Sequence, residues 1–120
     1  MTERVRLAEK FARIAEPWSP RIVAELNGQH VKLAKLRGEF VWHKHDAEDE
    51  LFLVVEGALD MHFRDRVVLL EKGDLMVVPR GVEHKPVATE EVHVLLFEPA
   101  GTLNTGNVIN ERTRRELERL

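Results

Sequence analysis

The 120-residue chain contains no cysteine. This absence excludes disulfide bonds and thiolate metal sites, and it is compatible with a reducing compartment. No apolar run approaches the roughly 20 residues that a membrane-spanning helix needs. Residues 1–16 mix acids with bases and lack the apolar centre of a secretory signal. We therefore expect a cytoplasmic protein with no membrane partner.

The chain also lacks a surplus of basic residues. It has 18 Lys and Arg against 21 Asp and Glu, a formal net charge of −3. Domains that bind nucleic acid usually concentrate positive charge, so we expect no nucleic-acid partner. Hydrophobic residues make up 43% and charged residues 32% of the sequence, which is typical of a globular protein. The length favours a single domain over residues 1–120.

Most of the chain has the pattern of short β-strands. Segments rich in Val, Leu and Phe recur over residues 21–98, and Gly, Pro, Asn or Asp bounds each of them. Asn27-Gly28, between two such segments, is typical of a two-residue hairpin turn. About nine strands with no room for helices between them predict an all-β sandwich or barrel.

Two short helices are predicted outside the strand-rich region. Residues 3–15 carry apolar side chains at helical spacing, with Thr2 as a suitable N-cap and prolines following. Residues 99–120 are interpreted as a loop followed by a charged helix. That second helix is predicted over 111–120, with Asn110 as its N-cap.

The segment from residue 50 to residue 63 can be given a register. If Glu56-Gly57 is a two-residue turn, directly opposed residues share one face of the hairpin. One face then carries Glu50, Phe52, Val54, Leu59, Met61 and Phe63, and the other carries Asp60, His62 and Arg64 together with Leu51, Leu53 and Val55. The first face is the expected interior. The second face is also partly apolar, so either the terminal helices or a second subunit must cover it, and we favour a homodimer.

Two histidines on one face are the first candidate for chemistry. His43 and His45 alternate on a predicted strand, with Cα atoms ~6.6 Å apart, so their imidazoles can converge on one metal ion. Glu50 opens the next strand on the interior face, where an unpaired carboxylate is costly. His84 begins a later strand after a Pro-Arg-Gly turn. Three imidazoles and one carboxylate suit a divalent first-row metal and leave positions open for water or substrate.

These segments resemble the two motifs of the cupin superfamily, in the right order. The first motif is present as Gly38, His43, His45, Glu50 and Gly57, and the second as Gly73, Pro79, Gly81 and His84. Two departures occur: Gly38 precedes His43 by one residue fewer than usual, and Ala88 replaces the usual asparagine. The resemblance covers residues ~21–98 and is closest to the small single-domain bacterial cupins.

The resemblance implies a jelly-roll β-barrel. It also implies that His43, His45, Glu50 and His84 are the ligands of one divalent ion, with Zn, Mn, Fe and Ni as the candidates. The asparagine replaced by Ala88 is not one of the four ligands, so this departure leaves metal binding unaffected.

Several other polar residues are weaker candidates. Glu48 and Asp49, in the predicted loop, are possible substitute ligands. Arg80, in the turn before His84, could reach an anionic substrate at the barrel mouth. His62 is expected on the outer face and His30 in solvent.

Five further predictions concern residues around the site. His93 points inward if Thr89-Glu90 is a two-residue turn and outward if the turn has three residues. Phe40 and Trp42 are expected to pack beneath a helix or a partner subunit. Asn104 and Thr105 are expected to shape the loop after the last strand.

Three functions remain open for such a site. A metal-dependent enzyme could use the ion as a Lewis acid on a small oxygen-rich molecule, as in sugar or uronate isomerases and epimerases. An Fe or Mn dioxygenase is the second possibility, and a non-catalytic module that binds a small ligand is the third. The registered interior face shows no second carboxylate for proton transfer, which weakens the isomerase interpretation. Catalytic residues are therefore not assigned.

Overall fold

The computed structural model describes residues 3–120. Within this range it contains one helix and seven strands. The elements are α1 (Leu7–Ala12), β1 (Arg21–Leu26), β2 (Gln29–Glu39), β3 (Glu50–Glu56), β4 (Ala58–Phe63), β5 (Val67–Glu71), β6 (Leu75–Val78) and β7 (His84–Pro99). The fold is the predicted all-β jelly-roll barrel.

The barrel is organised around β7, a strand of 16 residues. β2 runs antiparallel along nearly its whole length, from Glu39 opposite Val87 to Gln29 opposite Pro99. On its other side, the first residues of β7 pair with β4 and the later ones with β3. β5 and β6 continue the sheet beyond β4 and β3, respectively. β7 therefore connects the two walls of the barrel.

The predicted interior face is confirmed, but the predicted hairpin is wrong. The six residues assigned to the interior are all at most 8% exposed. β3, however, pairs with β6 and β7, whereas β4 pairs with β5 and β7. Gly57, at a φ of +89°, lies so close to the β7 backbone that a Cβ there would be 3.0 Å from the Glu91 carbonyl oxygen. The Glu56-Gly57 turn therefore redirects the chain, and period-two alternation keeps the same side chains inside.

Seven strands are present where about nine were expected. The segments "HKPVA" and "VHVLLF" form one continuous strand, β7, so Thr89-Glu90 is not a hairpin turn. The segment "EFVWH" contributes only its first residue to a strand, because β2 ends at Glu39. Both differences change the predicted local structure of segments near the candidate site.

The N-terminal helix is shorter than predicted and starts later. α1 covers six residues and follows Arg6, which gives no side-chain cap; the predicted N-cap, Thr2, lies outside the described residues. Phe11 and Ile14 are buried against Leu33 on the outer face of β2. Packing against the sheet, rather than helical length, stabilises this segment. None of the helices in residues 3–120 is long and apolar enough to cross a membrane.

The predicted C-terminal helix over 111–120 is absent from the described chain. Asn110 Oδ1 accepts a hydrogen bond from the backbone of Arg112, as an N-cap would, but only a turn follows. The last residues extend along β1, where Ile22 donates to the Glu118 carbonyl and accepts from the Leu120 N–H. The free edge of β1 offers the tail backbone partners that a lone helix of ten residues would lack.

Candidate metal centre

The structure brings His43, His45, Glu50 and His84 together. Each offers one nitrogen or oxygen atom, and these atoms all lie within 4.8 Å of one another. Each of the four residues is at most 4% exposed. Glu50 is the first residue of β3 and His84 the first of β7. The sequence motifs therefore converge in space as expected.

The histidine pair does not lie on a regular strand, contrary to the prediction. Residues 40–49 are irregular apart from one bridge, in which His43 and His84 exchange two backbone hydrogen bonds of 3.0 and 2.9 Å. The carbonyl of His45 accepts a third hydrogen bond, from the Gly81 N–H. These bonds tie the irregular segment to the strand that carries the third histidine.

Backbone carbonyls set the orientation of two imidazoles. His43 Nδ1 donates to the Val41 carbonyl and His84 Nδ1 to the Val82 carbonyl, both at 2.9 Å. A carbonyl only accepts, so each Nδ1 carries the proton and each Nε2 keeps its lone pair for a ligand bond. This arrangement of a ring N–H held by a backbone oxygen is common behind metal-binding histidines.

The inward-facing atoms of the cluster lack good hydrogen bonds. Glu50 Oε1 lies 3.3 Å from His45 Nε2 and 3.5 Å from His84 Nε2. All three atoms are buried without a hydrogen-bond partner among residues 3–120. Unsatisfied buried polar atoms are costly and rare, and several at one point need a common partner. A divalent cation would satisfy all of them.

The protonation states also suit a cation. Burial, followed by the neighbouring His84, lowers the pKa of His43 to about 4, so this ring is neutral at neutral pH. Burial alone would raise the pKa of Glu50, but the contacts with His45 and His84 outweigh it and hold that pKa below its ordinary value. The cluster therefore contributes one negative charge and neutral imidazole from His43.

A loop near the C-terminus braces the His43–His45 segment. Asn107 makes two bonds to the residue between the histidines: its side chain accepts from the Lys44 N–H at 2.9 Å, and its N–H donates to the Lys44 carbonyl at 3.0 Å. Gly106 packs so closely that a Cβ there would clash with the Lys44 carbonyl. Asn107 and Gly106 are site-supporting residues that the sequence did not reveal, since Asn107 lies 63 residues beyond Lys44 in the chain.

The cluster lies in the wall of a cavity inside the barrel. His43 and Glu50 line it together with aromatic and aliphatic side chains that include Trp18, Phe40 and Phe52. The free space is about 40 Å³, which corresponds to roughly three water molecules. The cavity therefore admits only a few ligand atoms beside the cluster.

A second carboxyl group, Glu98, lines the same cavity and was missed by the sequence analysis. It is 2% exposed, and Lys32, also 2% exposed, lies 3.4 Å from its Oε1 atom. Burial, and then the nearby Glu50 carboxylate, raises the pKa of Glu98 well above its usual range, although Lys32 opposes this. The signal was present: Glu98 has the same strand parity as the interior residues Val94 and Leu96.

The substitute ligands proposed in the loop do not join the cluster. Asp49 Oδ1 instead accepts hydrogen bonds from the Arg80 backbone at 2.8 Å and from its side chain at 3.3 Å. Arg80 thus pairs with Asp49 at the surface, and these hydrogen bonds lower the pKa of Asp49. Glu48 is half-buried and stays outside the four-residue group.

The structure also gives the positions of the three histidines outside the cluster. His93 points outward and stacks on Phe11 at 4.6 Å, because Thr89-Glu90 continues the strand. His30 is buried at 8% exposure and contacts Glu25, so its predicted solvent exposure is wrong. His62 is half-buried on the outer face of β4, as predicted.

The remaining residues are the two aromatics and the loop pair. Phe40 stacks on Trp18 at 4.6 Å and lines the cavity instead of packing beneath a helix. Trp42 lies under the Arg64 guanidinium, which is 3.9 Å from the ring centre. Asn104 and Thr105 shape the loop as expected. The Asn104 side chain forms hydrogen bonds with the backbones of Arg112 and Arg114, and the Thr105 hydroxyl forms one with the Thr113 hydroxyl. Asn104 also lines the cavity.

Known proteins resemble this chain over half of its length or more. The crystal structure of a cupin-2 domain containing protein from Shewanella frigidimarina superposes with a TM-score of 0.78 and 46% identity, over 79% of this chain and 93% of that one. The uncharacterized protein YdbB of Bacillus subtilis is 39% identical over 64 residues, which are 52% of this chain and 57% of YdbB.

A third relative carries a catalytic name. Acireductone dioxygenase of Pseudomonas fluorescens is 39% identical over 66 residues, which are 52% of this chain and 36% of that enzyme. The chain therefore spans about half or less of the length of these curated relatives. Residues 29–98 match the family model of the cupin domain. Since this match covers more than half of the chain and includes all four clustered residues, the protein belongs to the cupin family.

Proposed function

We propose that the protein is a divalent-metal-dependent enzyme that acts on a small oxygen-rich molecule. In this proposal His43, His45, Glu50 and His84 hold one ion, and the substrate enters the adjoining cavity. The observation that carries the proposal is the convergence of four buried ligand atoms, within 4.8 Å of one another, at the wall of that cavity. Zn, Mn, Fe and Ni all accept such a set of three nitrogens and one oxygen.

The chemistry we favour is isomerisation or epimerisation of a sugar or uronate. A bound divalent ion supplies a Lewis acid that polarises a carbonyl or carboxylate oxygen. The aromatic walls, Trp18, Phe40 and Phe52, exclude water from the reacting end of the substrate. Such reactions need a proton-carrying group besides the metal ligands, and the registered interior face of the hairpin showed none. The carboxyl group of Glu98 can take this role. The small cavity admits only the metal-binding end of a uronate.

A dioxygenase is the second candidate, and a specific observation favours it. The relative that is 39% identical over 66 residues is named acireductone dioxygenase. Such an activity would call for Fe or Mn at the same four residues. A module that binds a small ligand without catalysis would use the same cluster and cavity.

Metal analysis of protein purified without an affinity tag tests the proposal. We expect about one equivalent of metal, and we expect it to be lost from His45→Ala and Glu50→Gln. Iron or manganese together with oxygen consumption would favour the dioxygenase, whereas zinc, or manganese without oxygen consumption, would favour Lewis-acid catalysis. Full metal occupancy in both variants would show that these residues are not the ligands.

We also propose that the protein is a homodimer. α1 covers Val55 and Leu95 on the outer face of the barrel. Beyond the helix, Leu75 and Val77 of β6 remain 59% and 51% exposed, next to Leu53 of β3. A second copy would cover this apolar patch without leaving it in water. The cytoplasmic location expected from composition remains a prediction.

Sedimentation analysis at micromolar concentration tests the dimer. We expect a dimer for the wild type and a monomer for the double variant Leu75→Lys/Val77→Lys. Leu26→Lys is the matched control, because Leu26 is 47% exposed at the end of β1, outside the patch. A monomeric wild type contradicts the proposal, and so does a double variant that stays dimeric.

A further inference from the structure

The Lys32–Glu98 pair is the buried charged group that the metal cluster does not use. Lys32 lies on β2 and Glu98 on β7, two strands that pair along their length. Lys32 Nζ is 3.4 Å from Glu98 Oε1 and donates a hydrogen bond to the Thr102 carbonyl at 3.4 Å. Glu98 Oε2 is buried without a hydrogen-bond partner among residues 3–120. One oxygen of the carboxyl group therefore faces Lys32, whereas the other has no hydrogen-bond donor in the described part of the chain, and the carboxyl group also lies directly beside Glu50.

The two members of the Lys32–Glu98 pair lie on different sides of the cavity wall. Glu98 lines the cavity beside Glu50, whereas Lys32 contacts Glu98 without lining that cavity. Lys32 thus supports the carboxyl group from behind and fixes it toward the space next to the candidate metal. A buried ion pair adds little stability compared with apolar residues of the same volume. The acceptor without a donor lowers that benefit further, and a hydroxyl group of a bound ligand would supply the donor.

The surroundings define what the ligand can be. Around the carboxyl group, most of the cavity wall is aromatic or aliphatic, as at Phe52, Val94 and Leu96. The free volume of about 40 Å³ leaves space for only a few atoms between Glu98 and the metal cluster. Because the Glu98 carboxyl group lies beside Glu50, we expect a ligand group that reaches Glu98 Oε2 to be only a few bonds from the ligand atom that reaches the metal.

We propose that Glu98 Oε2 accepts a hydrogen bond from a ligand hydroxyl next to the ligand's metal-binding oxygen, so that the site selects small α-hydroxy acids or α-hydroxy ketones. This inference rests on the proposed metal site. Lys32 is a positioning residue that holds Glu98. A carboxyl group can accept this bond in either protonation state, so the selection does not depend on the charge of Glu98.

The test compares two ligands on cobalt-loaded protein. Glycolate carries the hydroxyl and methoxyacetate carries its methyl ether, and visible absorption of bound Co²⁺ follows the titration of each. Chelation by the metal alone also favours glycolate, so the informative quantity is how the ratio of the two dissociation constants changes with residue 98.

Two double variants isolate the acceptor. Lys32→Met/Glu98→Gln and Lys32→Met/Glu98→Met both remove the charges, but only the first keeps an acceptor oxygen. Replacement of a whole buried ion pair by neutral groups of similar volume is usually tolerated. We expect the preference for glycolate to fall about tenfold in the methionine variant, as for the loss of one hydrogen bond, and to fall less in the glutamine variant.

The possible results separate the two proposals. An unchanged preference in the methionine variant, with Co²⁺ bound as in the wild type, overturns the role of Glu98 and leaves the metal site standing. Failure of the wild type to bind Co²⁺ overturns the metal site, and this inference with it. Lys32→Leu/Glu98→Leu replaces the methionine variant if that protein does not fold, and the same change in preference is expected.

Discussion

Removal of the metal should lower the melting temperature of the protein substantially. The four proposed ligands connect β3, β7 and the irregular His43–His45 segment, and each is at most 4% exposed. Without an ion, several polar atoms of the cluster are buried and unpartnered. A metal bound only by the folded state therefore contributes its binding free energy to the free energy of unfolding.

The size of the effect follows from the linkage relation. Free metal at 100 times its dissociation constant stabilises the folded state by about 2.7 kcal/mol. For a domain of this length, each kcal/mol moves the melting midpoint by roughly 3–6 °C. Chelation should therefore lower the midpoint by about 10 °C, and returning the metal should restore it. If Glu50→Gln weakens metal binding about 100-fold, the same metal concentration supplies only about 0.4 kcal/mol, or about 2 °C.

Differential scanning fluorimetry after dialysis against chelator measures these shifts. Asp49→Asn is the matched control, because Asp49 is an adjacent carboxylate whose side chain is 50% exposed and bonded to Arg80. Its response to metal should equal that of the wild type. The reasoning would be refuted if neither chelator nor added metal shifts the wild-type melting midpoint. It would also be refuted if added metal shifts the midpoints of Glu50→Gln and the wild type equally.

Three further predictions concern the support of the site, its pH dependence and the outer face. Asn107→Ala should weaken metal binding about 10-fold while the barrel stays folded, because it removes the side-chain bond to the Lys44 N–H and leaves only the backbone bond; competition with a chromogenic chelator measures this, and an unchanged affinity would contradict it. Because the pKa of His43 falls from 6.5 to about 4 on folding, the unfolded chain takes up the proton first. The free energy of unfolding of the metal-free protein should then fall by at most about 3 kcal/mol between pH 6.5 and 4. Urea titrations test this, and His43→Gln should lose that part of the dependence. Leu75→Lys/Val77→Lys should be monomeric by sedimentation.

The four clustered residues could be predicted because local spacing determines them. His43 and His45 alternate over three residues, and the two motifs give Glu50 and His84 by their distances along the chain. The prediction tolerates an error in local structure: the histidine pair lies on an irregular segment, yet both side chains point inward. Hydrogen bonds from Asn107 and His84 to the backbone of this segment fix its conformation, as strand pairing would have done.

Strand pairing could not be predicted, because it depends on contacts between distant segments. The Glu56-Gly57 turn has the composition of a hairpin, but β3 finds its partners in β6 and β7. The alternation of buried residues does not distinguish these possibilities, since both place Phe52 and Met61 inside. The tail was mistaken for a helix for the same reason: its charged composition does not reveal the free edge of β1.

Glu98 is a functional candidate that could not be predicted without the strand pairing. The segment around Gly57 was the only part of the chain whose alternation defined an interior face, and Glu98 lies outside that segment. The pairing of β2 with β7 places Lys32 and Glu98 in one buried pair, although 65 residues separate them. An acidic residue at the end of a strand is usually solvated, and here Lys32 of the paired strand offsets part of the cost of burying Glu98. The proposed metal ligands therefore show in the local pattern of the chain, whereas the group proposed to select the substrate depends on the pairing of distant strands. The substrate preference of this protein should accordingly be sought in the residues that face the cavity from β2 and β7, rather than in the two motifs that supply the proposed metal ligands.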